Sequence, residues 1–153
     1  MNYQFEIIRK TRVNVLKMIE GFSINELNKI PEGFNNNLIW NVGHLVAVQQ
    51  NLCYKQAGLP IIVDETYFDT YKSDTKPDGL ANEADFEQIK HFLVSTIDQL
   101  EVDYHHNLFV NYVTRPTRYN VDINDIDEAI TFLLFHEGLH TGYIQALKRA
   151  LNR

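Results

Sequence analysis

Apolar residues recur every three or four positions along four long stretches of the chain, which is the spacing of an amphipathic helix. The first two stretches predict helices over about residues 3–21 and 38–57. The other two predict helices over about residues 82–102 and 125–151. Asparagine or aspartate stands at or just before the start of the last three, where such residues cap helix N-termini.

The segments between these helices are unequal in length. A serine–glutamate capping box predicts a short helical turn over 23–30. The stretch 64–79 is polar and aromatic, and it predicts a long connection with one helical turn at about 65–71. A second irregular stretch, 103–124, is expected to contain a short extended segment around 115–116. Connections this long favour an overhand crossing or a functional loop over a tight hairpin.

Four amphipathic helices without a repeat or a dividing linker predict one all-α domain spanning residues 1–153. A four-helix bundle buries four apolar stripes against one another. The two long connections are consistent with a topology other than simple up-down-up-down.

The formal net charge of -6 argues against nucleic acid or an anionic membrane as a partner, since both require clustered lysine and arginine. The lone cysteine, Cys53, excludes an internal disulfide and suits a reducing compartment. The sequence contains no signal-peptide pattern and no apolar run of transmembrane length. We therefore expect a cytoplasmic protein.

Two histidines on the predicted last helix, His136 and His140, are spaced for metal binding. Residues four apart lie on one helical face, about 5–6 Å apart at Cβ, so both rings can reach one divalent ion. The same face carries Leu133, Ile144 and Leu147, which turns the pair toward the core. Spacing alone is a weak motif, but two buried imidazoles need partners.

The segment from His136 to His140 also matches the H-E-x-x-H signature of zinc metallopeptidases, in which Glu137 would be the general base. Such enzymes take a third ligand, usually downstream. The 13 residues after His140 contain no Asp, Glu, His or Cys. Glu137 also lies about 60° from the His140 direction, which leaves it open as a base, as a partner of a ligand or as a surface residue.

The third ligand would then come from upstream, where the candidates other than carboxylates are His44, His91, His105, His106 and Cys53. His44 lies within the predicted second helix, on a mixed polar and apolar face that suits the rim of a pocket. His91 has the pattern of a surface histidine, and His105 and His106 follow a helix end. Cys53 has the pattern of a small buried residue.

The segments 37–45 (NLIWNVGHL) and 136–142 (HEGLHTG), in this order and at this separation, resemble the DinB/YfiT-like superfamily of metalloenzymes. The resemblance covers essentially the whole chain. It implies a four-helix bundle of up-down-down-up topology and a frequent homodimer. It also implies a divalent metal, Zn²⁺ or Ni²⁺, bound by His44, His136 and His140.

This chain departs from the superfamily pattern at one position, and the resemblance does not determine the reaction. Relatives often carry a glutamine shortly after the last histidine, whereas this chain has Tyr143 there and Gln145 two positions later. Some relatives transfer low-molecular-weight thiols or isomerise small acids with a thiol cofactor. We therefore expect a metal-dependent enzyme acting on a small molecule, of hydrolase or thiol transferase type. A metallopeptidase and a non-catalytic metal-binding or interaction bundle remain the alternatives.

Overall fold

The computed structural model describes residues 1–151, and these residues are predominantly helical. The helices and strands lie in the order α1 (Asn2–Met18), α2 (Ile24–Asn28), α3 (Leu38–Gln49), α4 (Glu65–Tyr71), α5 (Glu83–His105), β1 (Arg115–Pro116), β2 (Asp122–Ile123) and α6 (Ile126–Ala150). Strands β1 and β2 form a two-residue antiparallel ladder. The prediction of a mainly helical chain is therefore confirmed.

Side-chain caps determine where the helices begin. Asn37 accepts a hydrogen bond from the backbone N–H of Trp40 at 2.8 Å and starts α3. Capping boxes start α2 at Ser23 and α5 at Asn82, and Asp125 caps α6. The predicted first helix is too long, because α1 ends at Met18 and the chain then turns through Gly21, whose φ of 82° favours glycine. Helix α5 runs three residues beyond its predicted end.

Each of the four long helices, α1, α3, α5 and α6, packs against two of the others. Helix α1 packs against α5 and α6, and α3 packs against the same two helices. All twelve residues of α3 are buried, as expected for a helix enclosed on every side. The core between the helices is built from large aliphatic side chains, among them Ile8, Leu45, Leu93, Leu133 and Ile144.

The predicted second helix is continuous but not uniform. Helix α3 passes into a π-helical turn at Gln50–Tyr54 and then a 3-10 turn at Lys55–Ala57. Gly58 ends the segment in the left-handed conformation, with φ at 69°. A π turn inserts an extra residue into the helical repeat and often occurs at functional sites. Here Asn51 and Leu52, both within the π turn, line a cavity beside α6.

The two long connections each add structure near α3. Helix α4 packs its Tyr71 ring so closely on Gly43 that an added Cβ would lie 2.7 Å from the ring. The second connection contains the β1–β2 hairpin.

Among residues 1–151, no helix has both the length and the apolar character that a membrane crossing requires.

Candidate metal centre

Helices α3 and α6 bring His44, His136 and His140 together. One ring nitrogen from each histidine lies within 4.8 Å of the corresponding nitrogens of the other two. The ring centroids are 5.3 Å apart for His44 and His136, 4.8 Å for His44 and His140, and 4.5 Å for His136 and His140. These three residues are the ones that the sequence motifs indicated, and together they could hold a metal ion.

The ring of His44 is held in one orientation from two sides. Its Nδ1 lies 2.7 Å from the backbone oxygen of Tyr71. A carbonyl oxygen only accepts hydrogen bonds, so Nδ1 donates and Nε2 keeps the free lone pair. The indole ring of Trp40 stacks on the imidazole with a centroid distance of 4.5 Å. The long connection after α3 thus supplies the acceptor that selects the His44 tautomer.

The ring of His140 is held in a comparable way by α3. Its Nδ1 lies 3.0 Å from Oδ1 of Asn41. The Asn41 amide nitrogen donates to the backbone oxygen of Asn37 and to Oδ1 of Asn36, which leaves Oδ1 of Asn41 as an acceptor. The Nδ1 of His140 therefore donates, and its Nε2 keeps the lone pair. Fixing the tautomer of a histidine through its second nitrogen is typical of metal ligands.

His136 is buried, and its Nδ1 atom has no hydrogen-bond partner within the described residues. A buried polar atom without a partner is unfavourable, and a metal ion is one group that would satisfy an imidazole. Burial is the main cause that lowers the pKa of His136 to about 2 and that of His140 to about 3. Burial also lowers the pKa of His44. All three rings are therefore neutral at pH 7, the form that binds metals. This donor set fits a divalent transition metal.

The remaining candidates of the sequence lie away from this group. His91, His105 and His106 are exposed, as their positions predicted. Cys53 is fully buried and unpaired, and burial raises the pKa of its thiol, so it has the character of a small core residue. Among the described residues, no fourth His, Cys, Asp or Glu joins the three histidines.

Glu137 is neither a surface residue nor a free base. Its side chain is buried, and its Oε1 accepts hydrogen bonds from Nε and Nη2 of Arg12 at 2.9 and 2.8 Å. Burial raises the pKa of Glu137, and the Arg12 charge acts in the opposite direction. Both bonds go to Oε1, and Oε2 is buried without a hydrogen-bond partner among residues 1–151. A carboxylate that is closed off from water is not available to activate it. The H-E-x-x-H match therefore lacks its general base, which argues against a metallopeptidase.

The buried Arg12 is the main feature that the sequence reading missed. Its guanidinium donates to Glu137, to Oε1 of Gln49 and to Oγ1 of Thr96, and also to the backbone oxygens of Leu45 and Leu93. A signal for it was present, because Arg12 lies on the apolar stripe of α1 that includes Phe5, Ile8 and Val15. A charged residue on a core-facing stripe requires a buried partner.

A cavity of about 350 Å³ reaches the metal-binding candidates from one side. His44 and His136 form part of its wall, and the β1–β2 hairpin forms another part through Arg115–Tyr119. An ion held by three protein ligands would keep coordination positions for water or substrate, as in catalytic zinc sites. The cavity lies on the side of such an ion that His44 and His136 would face.

Comparison with known proteins agrees with this geometry. No curated protein matches the sequence significantly. A family model described as the DinB superfamily matches residues 7–144, a range that includes both histidine motifs, all of α3 and α5, and most of α1 and α6. The superfamily binds metals, and the three clustered histidines of this chain could do so. The chain belongs to the DinB superfamily.

Proposed function

We propose that this protein is a divalent-metal-dependent enzyme that acts on a small molecule. The observation that carries the proposal is the cluster of His44, His136 and His140 at the wall of a cavity. Fixed tautomers on two of the rings support ligation, because they direct a free lone pair without further rearrangement.

Zn²⁺ and Ni²⁺ are the metals that we propose, since neutral imidazole suits both. When bound, such an ion would act as a Lewis acid that lowers the pKa of water or of a thiol. The first case corresponds to a hydrolase and the second to a thiol transferase with a low-molecular-weight thiol as cosubstrate. The resemblance to the superfamily supports the second case as well as the first.

The residues around the histidines have their own part in this proposal. The Tyr71 carbonyl and the Asn41 amide orient the rings of His44 and His140. Trp40 covers one face of His44 and limits access of water from that side. The cavity that His44 and His136 line admits the substrate. We assign no proton transfer to Glu137, because Arg12 engages its carboxylate.

Metal analysis tests the proposal directly. The wild-type protein would be purified without chelator and without a histidine tag, then dialysed against Zn²⁺ or Ni²⁺. We expect about one bound ion per chain. The triple alanine variant of His44, His136 and His140 should bind none. The triple alanine variant of His91, His105 and His106 is the matched control, because it removes three exposed histidines and should keep the ion.

Equal metal content in the two triple variants would contradict the proposed site. With the metal-loaded protein, a screen of ester hydrolysis and thiol transfer then separates the two reaction types. Activity in neither screen, together with a fourth protein ligand to the ion, would support a non-catalytic metal-binding bundle instead.

We further propose that the four long helices form a bundle of up-down-down-up topology and that the protein is a cytoplasmic homodimer. The packing of α1 and α3 against the same two helices supports the bundle. The unpaired cysteine supports a reducing compartment. The homodimer is supported by the superfamily resemblance, and a monomer mass from light scattering at micromolar concentration would contradict it.

A further inference from the structure

The cavity beside the histidines is lined by positively charged side chains, although the chain as a whole is negatively charged. The chain carries a net charge of -6, yet the residues within 1–151 that line the cavity include two arginines and no Asp or Glu. Arg115 and Arg118 both stand on the hairpin wall, facing the same space as His44 and His136. Arg118 therefore lines the same cavity as two of the three histidines.

Both arginines retain capacity to bind a ligand. Arg118 makes one long hydrogen bond, from Nη2 to Oδ1 of Asp74 at 3.3 Å, and both side chains of that pair are largely exposed. Exposed ion pairs of this kind contribute little to stability. No side chain among residues 1–151 pairs with the guanidinium of Arg115. Each guanidinium has five donors, so most of these donors are unused.

A further polar group that lines the same cavity lacks a partner. Gln56 lines the cavity, and its Oε1 atom is buried without a hydrogen bond among the described residues. A buried acceptor needs a donor, so a hydroxyl or N–H group on the ligand, and not its oxyanion, would satisfy Gln56, while the two guanidinium groups supply the donors for an anion.

We propose that this cavity binds a small oxyanion, a carboxylate or phosphate group of the substrate, through Arg118 assisted by Arg115. The inference rests on the proposed function, because it names the class of substrate that would lie beside the three histidines. A planar guanidinium matches the two oxygens of either group and binds them with charge-assisted hydrogen bonds. The ligand takes the place of Asp74 on Arg118.

Competition with Asp74 distinguishes anion binding by Arg118 from a purely structural role of that residue. If Arg118 served only to attach the hairpin to the loop after α4, loss of Asp74 would loosen that attachment and weaken any binding. If Arg118 binds an anion that replaces Asp74, loss of that carboxylate removes a competitor. Asp74→Asn should then tighten anion binding, while Arg118→Gln weakens it.

Calorimetric titration at low salt tests these directions with two probes, succinate and inorganic phosphate, and with the neutral diamide of succinate as a blank. Arg118→Gln should weaken binding of the preferred probe about tenfold, the effect of losing a charge-assisted pair. Arg115→Gln should weaken it less. Asp74→Asn should tighten it several-fold. The preferred probe distinguishes a carboxylate from a phosphate ligand.

Matched controls separate a specific site from a general change in charge. Arg149→Gln removes one exposed positive charge from the end of α6, and Asp78→Asn removes one exposed negative charge that does not line this cavity. Both should change the affinity less than twofold. Equal effects of Arg118→Gln and Arg149→Gln would overturn the proposal, as would the absence of binding of either probe to wild type.

Each titration is run on metal-free and on Zn²⁺-dialysed protein, with the metal content measured for every variant. Absence of metal in wild type refutes the proposed function, while the metal-free titrations still decide whether the cavity binds anions. Normal metal content with no specific effect of Arg118→Gln refutes the anion site alone.

Discussion

Removing one partner of the buried Arg12–Glu137 pair should destabilise the protein severely. The exposed fractions of the two residues are 0% and 1%, so neither charge has access to water. Glu137→Leu would leave the guanidinium buried without its counter-charge, and arginine cannot lose its proton to escape that cost. Breaking a buried ion pair from one side typically costs about 3–5 kcal/mol.

That magnitude is a large part of the total stability of a domain. A protein of this size unfolds with a free energy of about 5–15 kcal/mol, and each kcal/mol corresponds to about 2–4 °C in melting temperature. Glu137→Leu should therefore lower the melting temperature by about 6–20 °C. The double variant Arg12→Met with Glu137→Leu removes both charges, and it should recover most of the loss because apolar replacements of buried pairs are often neutral.

Urea unfolding of chelator-treated protein, followed by circular dichroism, measures these differences without a contribution from bound metal. The exposed pair Lys10–Glu6 on α1 is the control, and Glu6→Gln should leave the unfolding midpoint nearly unchanged. A loss below about 1 kcal/mol for Glu137→Leu would refute the reasoning, since it would mean that water solvates the pair. A double variant as unstable as the single one would refute it too.

Three further changes test the surroundings of the site. Gly43→Ala should cost about 1–3 kcal/mol in thermal unfolding, because the new methyl group meets the Tyr71 ring at 2.7 Å. Asn41→Ala should lower metal affinity about 10–100-fold in a chelator competition, since the His140 ring loses its acceptor; unchanged affinity would contradict that role. Asp125→Ala should cost about 1 kcal/mol by removing the cap of α6, and equal melting curves would exclude this contribution.

Hydrophobic spacing and caps predicted most of the fold because both are local signals. The starts of α3, α5 and α6 follow from an asparagine or aspartate beside an apolar repeat. The ends were less predictable. The predicted first helix extends to Gly21, but the left-handed conformation of that glycine places it beyond the end of α1. The π turn after α3 was not predicted, since its sequence, QNLCY, contains no glycine or proline that would mark an irregularity in the helix.

The histidine cluster was predictable in part for the same reason. The spacing of His136 and His140 indicates one helical face, whereas their distance from His44 depends on how α3 packs against α6. Only the resemblance to a known superfamily selected His44 from the upstream candidates. The burial of Glu137 and its bond to Arg12 join residues 125 positions apart, and no local pattern encodes such a contact.

A buried charge at the centre of the helices bears on the metal site as well as on stability. One guanidinium, that of Arg12 on α1, contacts Glu137 on α6, Gln49 on α3 and Thr96 on α5. Helices α3 and α6 are also the two that carry His44, His136 and His140. Apolar side chains can repack when a helix rotates or shifts. Directional hydrogen bonds to a planar guanidinium group, in contrast, allow few other positions of the helices.

We therefore expect the Arg12–Glu137 pair to contribute more to the relative positions of α3 and α6 than to the free energy of unfolding. In the double variant Arg12→Met with Glu137→Leu, we expect near wild-type stability but a Zn²⁺ affinity lower by about tenfold, because the ligands lose preorganisation. Chelator competition on both proteins measures the affinity, and Glu6→Gln again serves as the control. Wild-type affinity in a stable double variant would show that packing alone positions the three histidines.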